Sequence, residues 1–470
     1  MVFPLPLVAF EDYMLADDRP AFPMTLFVRL RFGGELDRRA FTAALTATVA
    51  LHPLQASVVC RGRWGRHFWQ PKQGEPALLF SDGPLADGYP SAPHINLAES
   101  TGLVAGVTSD GARSEVALQF HHASSDGLGA FGFVHDLLLQ YAGRTGDRSA
   151  ECPPRDVGAL RHRGTFHRRA KETESVPGHE SGETPQIAPW RLAGLYGVRQ
   201  FLMRRPEPIV PHEALPNLPV PPSEFPATVF ASLGETESSQ LRRWAGENGV
   251  TTNDVLLRDL FLTLVQWRAG RELEDPHPWL RISVPVNLRH PQQSRMPAAN
   301  VVSMVFLDRR GLDCANPMKL LRGVHDEVQL IKDLGLARAF LRSLKTVGSV
   351  PGAMKLMTRS EKCHATCVLT NVGEPLADVP LPRSGGKIMA GNVMLDEVDM
   401  LAPVRPYTSV AIGVVRYAGR LRFAMHYDPR PLSEADASGL MKTYLDQVRC
   451  SAAGFGDVAP ISAVAAFAAT

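Results

Sequence analysis

His121-His122-Ala123-Ser124-Ser125-Asp126-Gly127 is the stretch on which the reading of this chain turns. Before it, Val116, Leu118 and Phe120 alternate on one face over Glu115 to Phe120, a strand signal. Beyond Gly129, the residues Phe133, Val134, Leu137, Leu138 and Tyr141 mark a helix. The string therefore occupies a short strand-to-helix turn, a place that aims side chains into a cleft. With 15 histidines in 470 residues, a His-His-x-x-x-Asp-Gly match arises by chance in roughly one chain in 500. An imidazole near neutral pKa can accept a proton at pH 7, and a nearby carboxylate can fix the architecture that orients it. The bland alternative is a pair of satisfied histidines beside an ordinary turn.

Two other readings overlap this one. Gly127-Leu128-Gly129-Ala130-Phe131-Gly132 spells GxGxxG after a strand, the pattern of a dinucleotide loop. Six residues separate it from the strand end, however, and Cys152-Pro153-Pro154 stands where a second strand ending in an acid belongs. A metal site would draw on His121, His122 and Asp126, with His364 or His426 to complete it. Adjacent strand residues point to opposite sides, which makes joint ligation awkward. Neither a GxSxG elbow nor a GxxxxGK[ST] phosphate loop is found.

Composition narrows the class. The chain is 44% hydrophobic and 21% charged with a formal net charge of +2, which describes an ordinary globular protein and argues against nucleic-acid binding. The longest apolar stretches, such as Ile461 to Ala469, fall short of the ~18 residues that cross a bilayer. The first residues lack the basic region of a signal peptide. Six cysteines are scattered, and the close pair Cys363 and Cys367 has neither zinc nor redox spacing. A cytoplasmic location is expected.

Proline divides the chain. Residues 152–226 collect Pro153-Pro154, Pro219-Val220-Pro221-Pro222 and dense mixed charge, and read as a connector, with one helix expected over Pro189 to Met203. The N-terminal lobe, 1–151, carries a strand over Thr25 to Phe32 and a helix over Leu36 to Leu51 capped by Asp37. The C-terminal lobe, 227–470, opens with a helix over Thr252 to Arg268, capped by Thr252 or Asn253. Strands follow over Arg281 to Val286, Val301 to Leu307, Thr366 to Asn371, Ser409 to Val415 and Arg420 to Tyr427, and a helix over Met441 to Val448 closes the chain. Irregular alternation of this kind predicts two mixed α/β lobes. The connector carries Arg161, Arg163, Arg168, Arg169, Lys171, Arg199, Arg204 and Arg205, a basic surface that could attract an anionic donor; Glu172, Glu174, Glu180 and Glu183 among them favour a solvated mixed-charge loop instead.

His121 to Gly127 resembles the HHxxxDG signature of the chloramphenicol acetyltransferase-like acyltransferase superfamily. That group includes nonribosomal peptide condensation domains, polyketide-associated acyltransferases, wax ester synthases and alcohol acetyltransferases. The likeness runs through Glu11-Asp12-Tyr13-Met14, Leu51-His52-Pro53-Leu54, Pro285-Val286-Asn287-Leu288-Arg289, Ala299-Asn300 and Thr370-Asn371-Val372-Gly373, in the family's order. The connector has no counterpart.

The resemblance implies two similar α/β lobes in a V, with a tunnel reaching the motif from both faces. It implies an acyl thioester donor, on coenzyme A or an acyl carrier protein, and an alcohol or amine acceptor. His122 would be the general base, His121 a support, and Asp126 a structural residue paired with Arg289 across the lobes. Gly127 would allow close backbone approach. Asn300 and Asn371 are candidates for substrate or oxyanion contacts, or equally turn and capping residues. Such chemistry needs no metal, no cofactor and no covalent enzyme nucleophile. A monomer of secondary metabolism would suffice. The competing class is a catalytically silent, condensation-domain-like protein that binds a carrier or ligand.

Overall fold

The computed structural model describes residues 2–147, 150–165, 204–210, 222, 225–271, 278–360 and 362–454. The expected helix over Pro189 to Met203 and the apolar stretch Ile461 to Ala469 lie outside them. In the first third the elements are β1 (Leu5–Pro6), α1 (Ala9–Asp17), β2 (Thr25–Gly33), α2 (Arg38–Leu51), β3 (Ser57–Arg61), β4 (His67–Pro71), β5 (Ala77–Asp82), β6 (Leu103–Ser109), β7 (Arg113–His121) and α3 (Gly127–Arg144). After the connector come β8 (Ala227–Leu233), α4 (Glu235–Glu247), α5 (Thr252–Ala269), β9 (Trp279–Asn287), β10 (Val302–Arg310), α6 (Pro317–Asp333), α7 (Leu336–Gly348) and α8 (Ala353–Thr358). The chain ends through β11 (Cys367–Asn371), β12 (Arg383–Ser384), β13 (Lys387–Ala390), β14 (Val393–Leu401), β15 (Val410–Tyr417), β16 (Arg420–Tyr427) and α9 (Glu434–Ala452).

Two mixed sheets dominate. The first has seven strands in the order β12-β13-β14-β2-β7-β6-β5. Period-2 alternation in β2 puts Leu26, Val28, Leu30 and Phe32 on one buried face, where Phe41, Leu45 and Val49 of α2 and Phe133, Val134 and Leu137 of α3 cover them. The second has six strands in the order β10-β9-β11-β15-β16-β8. Its core joins Ile282, Leu369, Ile412 and Phe423 to Leu260 and Leu264 of α5 and Tyr444 of α9. A third apolar cluster ties the halves together, with Phe10 and Met14 of α1 packed among Met296, Ala299, Leu341 and Met354. Among the described residues, no helix is long and apolar enough to cross a membrane.

The structure departs from the sequential division at one place. Residues assigned to the C-terminal lobe supply β12, β13 and β14 to the first sheet, where β14 pairs antiparallel with β2, Val398 opposite Leu30. Alternation in β14 satisfies either sheet, so its pattern carries no address. Where β14 passes β15, a Cβ on Gly413 would collide with the Met400 carbonyl, so glycine there lets the sheets touch. Arg422 of β16 reaches Asp399 at 2.8 Å and Glu397 at 2.9 Å across this seam.

Helix starts also differ from expectation. The cap of α5 is Thr251, not Thr252 or Asn253. Thr251 is extended, accepts from the Asp254 amide, and donates its own amide to the Asp254 carboxylate at 2.9 Å. Ser433 caps α9, which begins at Glu434 rather than Met441. The basic connector surface is thin among the described residues. Arg163 is fully buried on Glu11 at 2.7 Å, and Arg204 pairs with Asp308 at 3.3 Å, so neither faces an incoming anion. Arg168, Arg169, Lys171 and Arg199 lie outside the described residues.

Candidate active site

His121 closes β7 opposite Thr25 of β2, and α3 begins at Gly127. The five residues between them form a turn held from every side. His121 is fully buried, whereas His122 is half-buried. The Nδ1 of His121 accepts from the Ala123 amide at 3.1 Å, which leaves its proton on Nε2, 3.6 Å from Asp18 Oδ2.

His122 donates its backbone amide to the Met24 carbonyl at 2.7 Å. Burial lowers its imidazole below the ordinary histidine pKa, although the backbone carbonyls of His122 and Ser125 and the Asp126 charge pull the other way. Its Nδ1 is buried without a hydrogen bond. Nε2 takes part in no hydrogen bond among the described residues. A neutral imidazole with a free Nε2 can accept a proton.

Asp126 organises the turn. Its Oδ1 accepts from the Gly129 amide at 2.8 Å, capping α3, and its Oδ2 accepts from the Val301 amide at 2.7 Å. The guanidinium of Arg289, at the end of β9, grips both oxygens, with Nη1 to Oδ2 at 2.9 Å and Nη2 to Oδ1 at 2.8 Å. Arg289 also donates to the Ala299 carbonyl at 2.8 Å. Asp126 and Arg289 therefore join the two halves directly. They also fill the N-terminus of α3 with the protein's own carboxylate, where a dinucleotide would place its phosphates.

The glycines of the GxGxxG pattern have packing reasons. A Cβ on Gly127 would lie 2.9 Å from Met400 Sδ, and one on Gly129 would lie 2.8 Å from the Ala299 carbonyl. Gly132 faces open space.

The two asparagines bond chiefly to the backbone. Asn300 is buried and donates to the His122 and Ala123 carbonyls at 2.5 and 2.8 Å. Its amide hydrogens brace the turn and are not available to an oxyanion. Asn371 accepts from the Gly373 amide at 3.0 Å and donates to Asn253 at 3.4 Å, as a turn residue does. Both thus sit as bracing and turn residues, the alternative to an oxyanion contact.

The serines of the string are equally engaged. Ser124 is buried and bonds to Gln55 Oε1 at 2.9 Å and to the His121 carbonyl at 2.8 Å, while Ser125 donates to the Asp126 carbonyl at 3.0 Å. A buried hydroxyl spent on a carbonyl is a poor nucleophile. Of the other histidines, His364 bonds to Ser360 and His426 to the Ala402 carbonyl, away from the motif. Among the described residues, no three His, Cys, Asp or Glu side chains group as metal ligands. An acidic depression lined by Glu35, Asp82 and Asp110 sits at the other end of β7, roughly 26 Å from His121 by strand rise.

Comparison with solved structures decides the fold. The first condensation domain of the calcium-dependent antibiotic synthetase, solved with a substrate analogue, superposes with a TM-score of 0.67 at 16% identity, over 96% of each chain. This is the chloramphenicol acetyltransferase-like fold of condensation domains. A Fusarium sporotrichioides protein, the trichothecene 15-O-acetyltransferase TRI3, shares that condensation-domain fold at a TM-score of 0.65 and 12% identity, covering 95% of each chain. The chain spans 45% of the length of the nonribosomal peptide synthetase FmoA3, at a TM-score of 0.65 and 15% identity over 96% of this chain. An uncharacterized Mycobacterium tuberculosis protein, Rv2305, is 23% identical over 449 residues, 91% of this chain and 95% of its own length. No protein-family profile matches the chain.

Several residues around the His121–Gly127 turn escaped the sequence reading. Asp18 and His94 stand behind His121. Gln55 donates to the Ser124 carbonyl at 3.1 Å. His52 donates from Nε2 to Asp136 at 3.0 Å and accepts from the Ala298 amide at 2.8 Å, so it holds the loop that carries Ala299 and Val301 against Asp126. The Leu51-His52-Pro53-Leu54 string held a signal for His52; the others had none.

Proposed function

We propose that this chain is a stand-alone acyltransferase that moves an acyl group from a thioester to an alcohol or an amine. The observation that carries the reading is the unbonded Nε2 of His122, a base on a turn braced by Asp126, Asn300 and its two serines. Nε2 takes the proton of the acceptor O–H or N–H, and the acceptor attacks the thioester carbonyl carbon. The tetrahedral adduct collapses with loss of the C–S bond. The leaving sulfur takes the proton from His122, so one ester or amide and one free thiol form and the imidazole returns to neutral. No covalent enzyme intermediate and no cofactor enters the step.

The thioester would ride on coenzyme A or on a carrier protein supplied in trans. Support comes from fold neighbours that include a trichothecene 15-O-acetyltransferase and a starter condensation domain solved in complex with C8-CoA. Purified protein offered short and long acyl thioesters with a panel of alcohols and amines should release free thiol in an acceptor-dependent way. His122→Ala should lower that rate at least 100-fold with the fold intact. Thiol release at the parental rate in His122→Ala would refute the base assignment, and saturable thioester binding without any turnover would favour the silent alternative.

A further inference from the structure

We propose that Asp18 is a positioning residue for His122, acting through two separate routes that start at its two carboxylate oxygens. Asp18 follows the last residue of α1 and is largely buried, its side chain 10% exposed. Its Oδ1 accepts from the Met24 amide at 2.8 Å, and the Met24 carbonyl in turn receives the His122 amide at 2.7 Å. Its Oδ2 receives His94 Nε2 at 2.7 Å and faces His121 Nε2 at 3.6 Å. One route fixes the backbone just before β2 and so the height of His122. The other fixes the ring of His121.

The second route works through a tautomer. His121 Nδ1 accepts from the Ala123 amide, so its hydrogen must sit on Nε2, and a buried N–H needs an acceptor in front of it. Among the described residues His121 Nε2 has no partner at hydrogen-bond distance, and the Asp18 carboxylate, facing it at 3.6 Å, is the charge that holds the hydrogen on that nitrogen. With the tautomer locked, Nδ1 holds Ala123, the next residue after His122, and the His122 ring leaves the turn in one direction. Asp18 thus grips the residue on each side of His122 without touching the reacting atoms. Nothing in its spacing advertises this role, since its partners lie 6 and 76 residues away along the chain.

This inference rests on His122 being the base, and the test separates the two. In Asp18→Asn, Oδ1 still accepts from Met24, but an NH2 now meets the Nε2–H of His121. Thiol-release kcat should fall at least 10-fold with the thioester KM within about twofold. Imidazole 15N spectra of histidine-labelled protein should show His121 losing its fixed Nε2–H tautomer. Asp18→Ala severs both routes and should fall at least 100-fold per folded molecule.

If both variants keep kcat within twofold of the parent while His122→Ala is inactive, the Asp18 proposal is wrong and the base assignment stands. If His122→Ala itself keeps full activity, the base assignment is wrong. An unchanged His121 tautomer in Asp18→Asn would then overturn the Asp18 proposal independently. A purely structural role would lower the melting temperature but leave kcat per folded molecule and the His121 spectrum unchanged, and that result also overturns it.

Discussion

Asp126 is where residue-scale chemistry is densest. Its side chain accepts from two backbone amides and from a two-toothed guanidinium, all in a 4% exposed position. In Asp126→Asn, one oxygen becomes an NH2 directed at donors on Val301 or Arg289. Loss of a buried pair costs 3–5 kcal/mol, and Arg289 keeps 19% exposure, so we expect about 3 kcal/mol of lost stability in denaturant unfolding. Activity should fall with it; parental unfolding and turnover in this variant would contradict the assignment. The pH dependence of His122 follows from burial. Because its folded pKa lies below the ordinary 6.5, the basic form persists as pH drops through that value. The acid limb of kcat/KM should therefore fall below pH 6.5, and a midpoint above 6.5 would exclude His122 as the titrating group. The site was legible in part. The paired histidines, Asp126 and the position of Arg289 stood out because a rare string and an ordered set of segments mark them. Asp18 and His94 were invisible, since an aspartate ending a helix and a histidine in a loop are common. The two asparagines stayed ambiguous in the sequence because an amide reads alike as an oxyanion donor and as a backbone brace.

Elements were legible wherever periodicity was strong. The β2 and β16 patterns and the α2 cap at Asp37 gave boundaries within a residue of those found, because burial on one face dictates alternation. Helix starts failed where a side chain intervened. Asp126 begins α3 two residues before the apolar spacing does, and Thr251 begins α5 from outside the apolar run. Membership of a sheet was not legible, since a strand's face pattern is silent about its partners. The seam between β14 and β15 offers a sharp test. In Gly413→Ala the new methyl meets the Met400 carbonyl, part of a backbone that cannot swing away. We expect at least about 2 kcal/mol of destabilisation, measured as a drop in the denaturant midpoint. Gly132→Ala in α3 meets no atom within 4 Å and should be neutral or slightly stabilising. Equal effects from the two substitutions would argue against a close seam.

At the scale of the whole molecule, buried histidines set the acid response. Burial lowers His364 and His426 to about 4 and also lowers His52 and His122. Between pH 6.5 and 4 the unfolded chain binds protons at these positions that the folded chain does not, so stability is lost as pH falls through that window. Asp259 opposes them, because burial raises it to about 6 and the folded state takes up its proton first. Four groups against one predict a net fall in melting temperature from pH 6.5 to 4.5. A flat or rising profile would contradict it. The crossing of β14 has a further consequence, for synthesis rather than for catalysis. Arg29 of β2 bonds to Asp399 of β14 across 370 residues of chain. At 5–20 residues per second the ribosome needs roughly 20 to 70 s to deliver the second strand after the first. For that interval β2 is an edge without its neighbour, apolar on one face, and a template for any passing strand. The nascent chain should therefore depend on a holding chaperone until Leu401 has emerged, and a truncated gene ending at residue 226 should yield aggregate rather than half an enzyme.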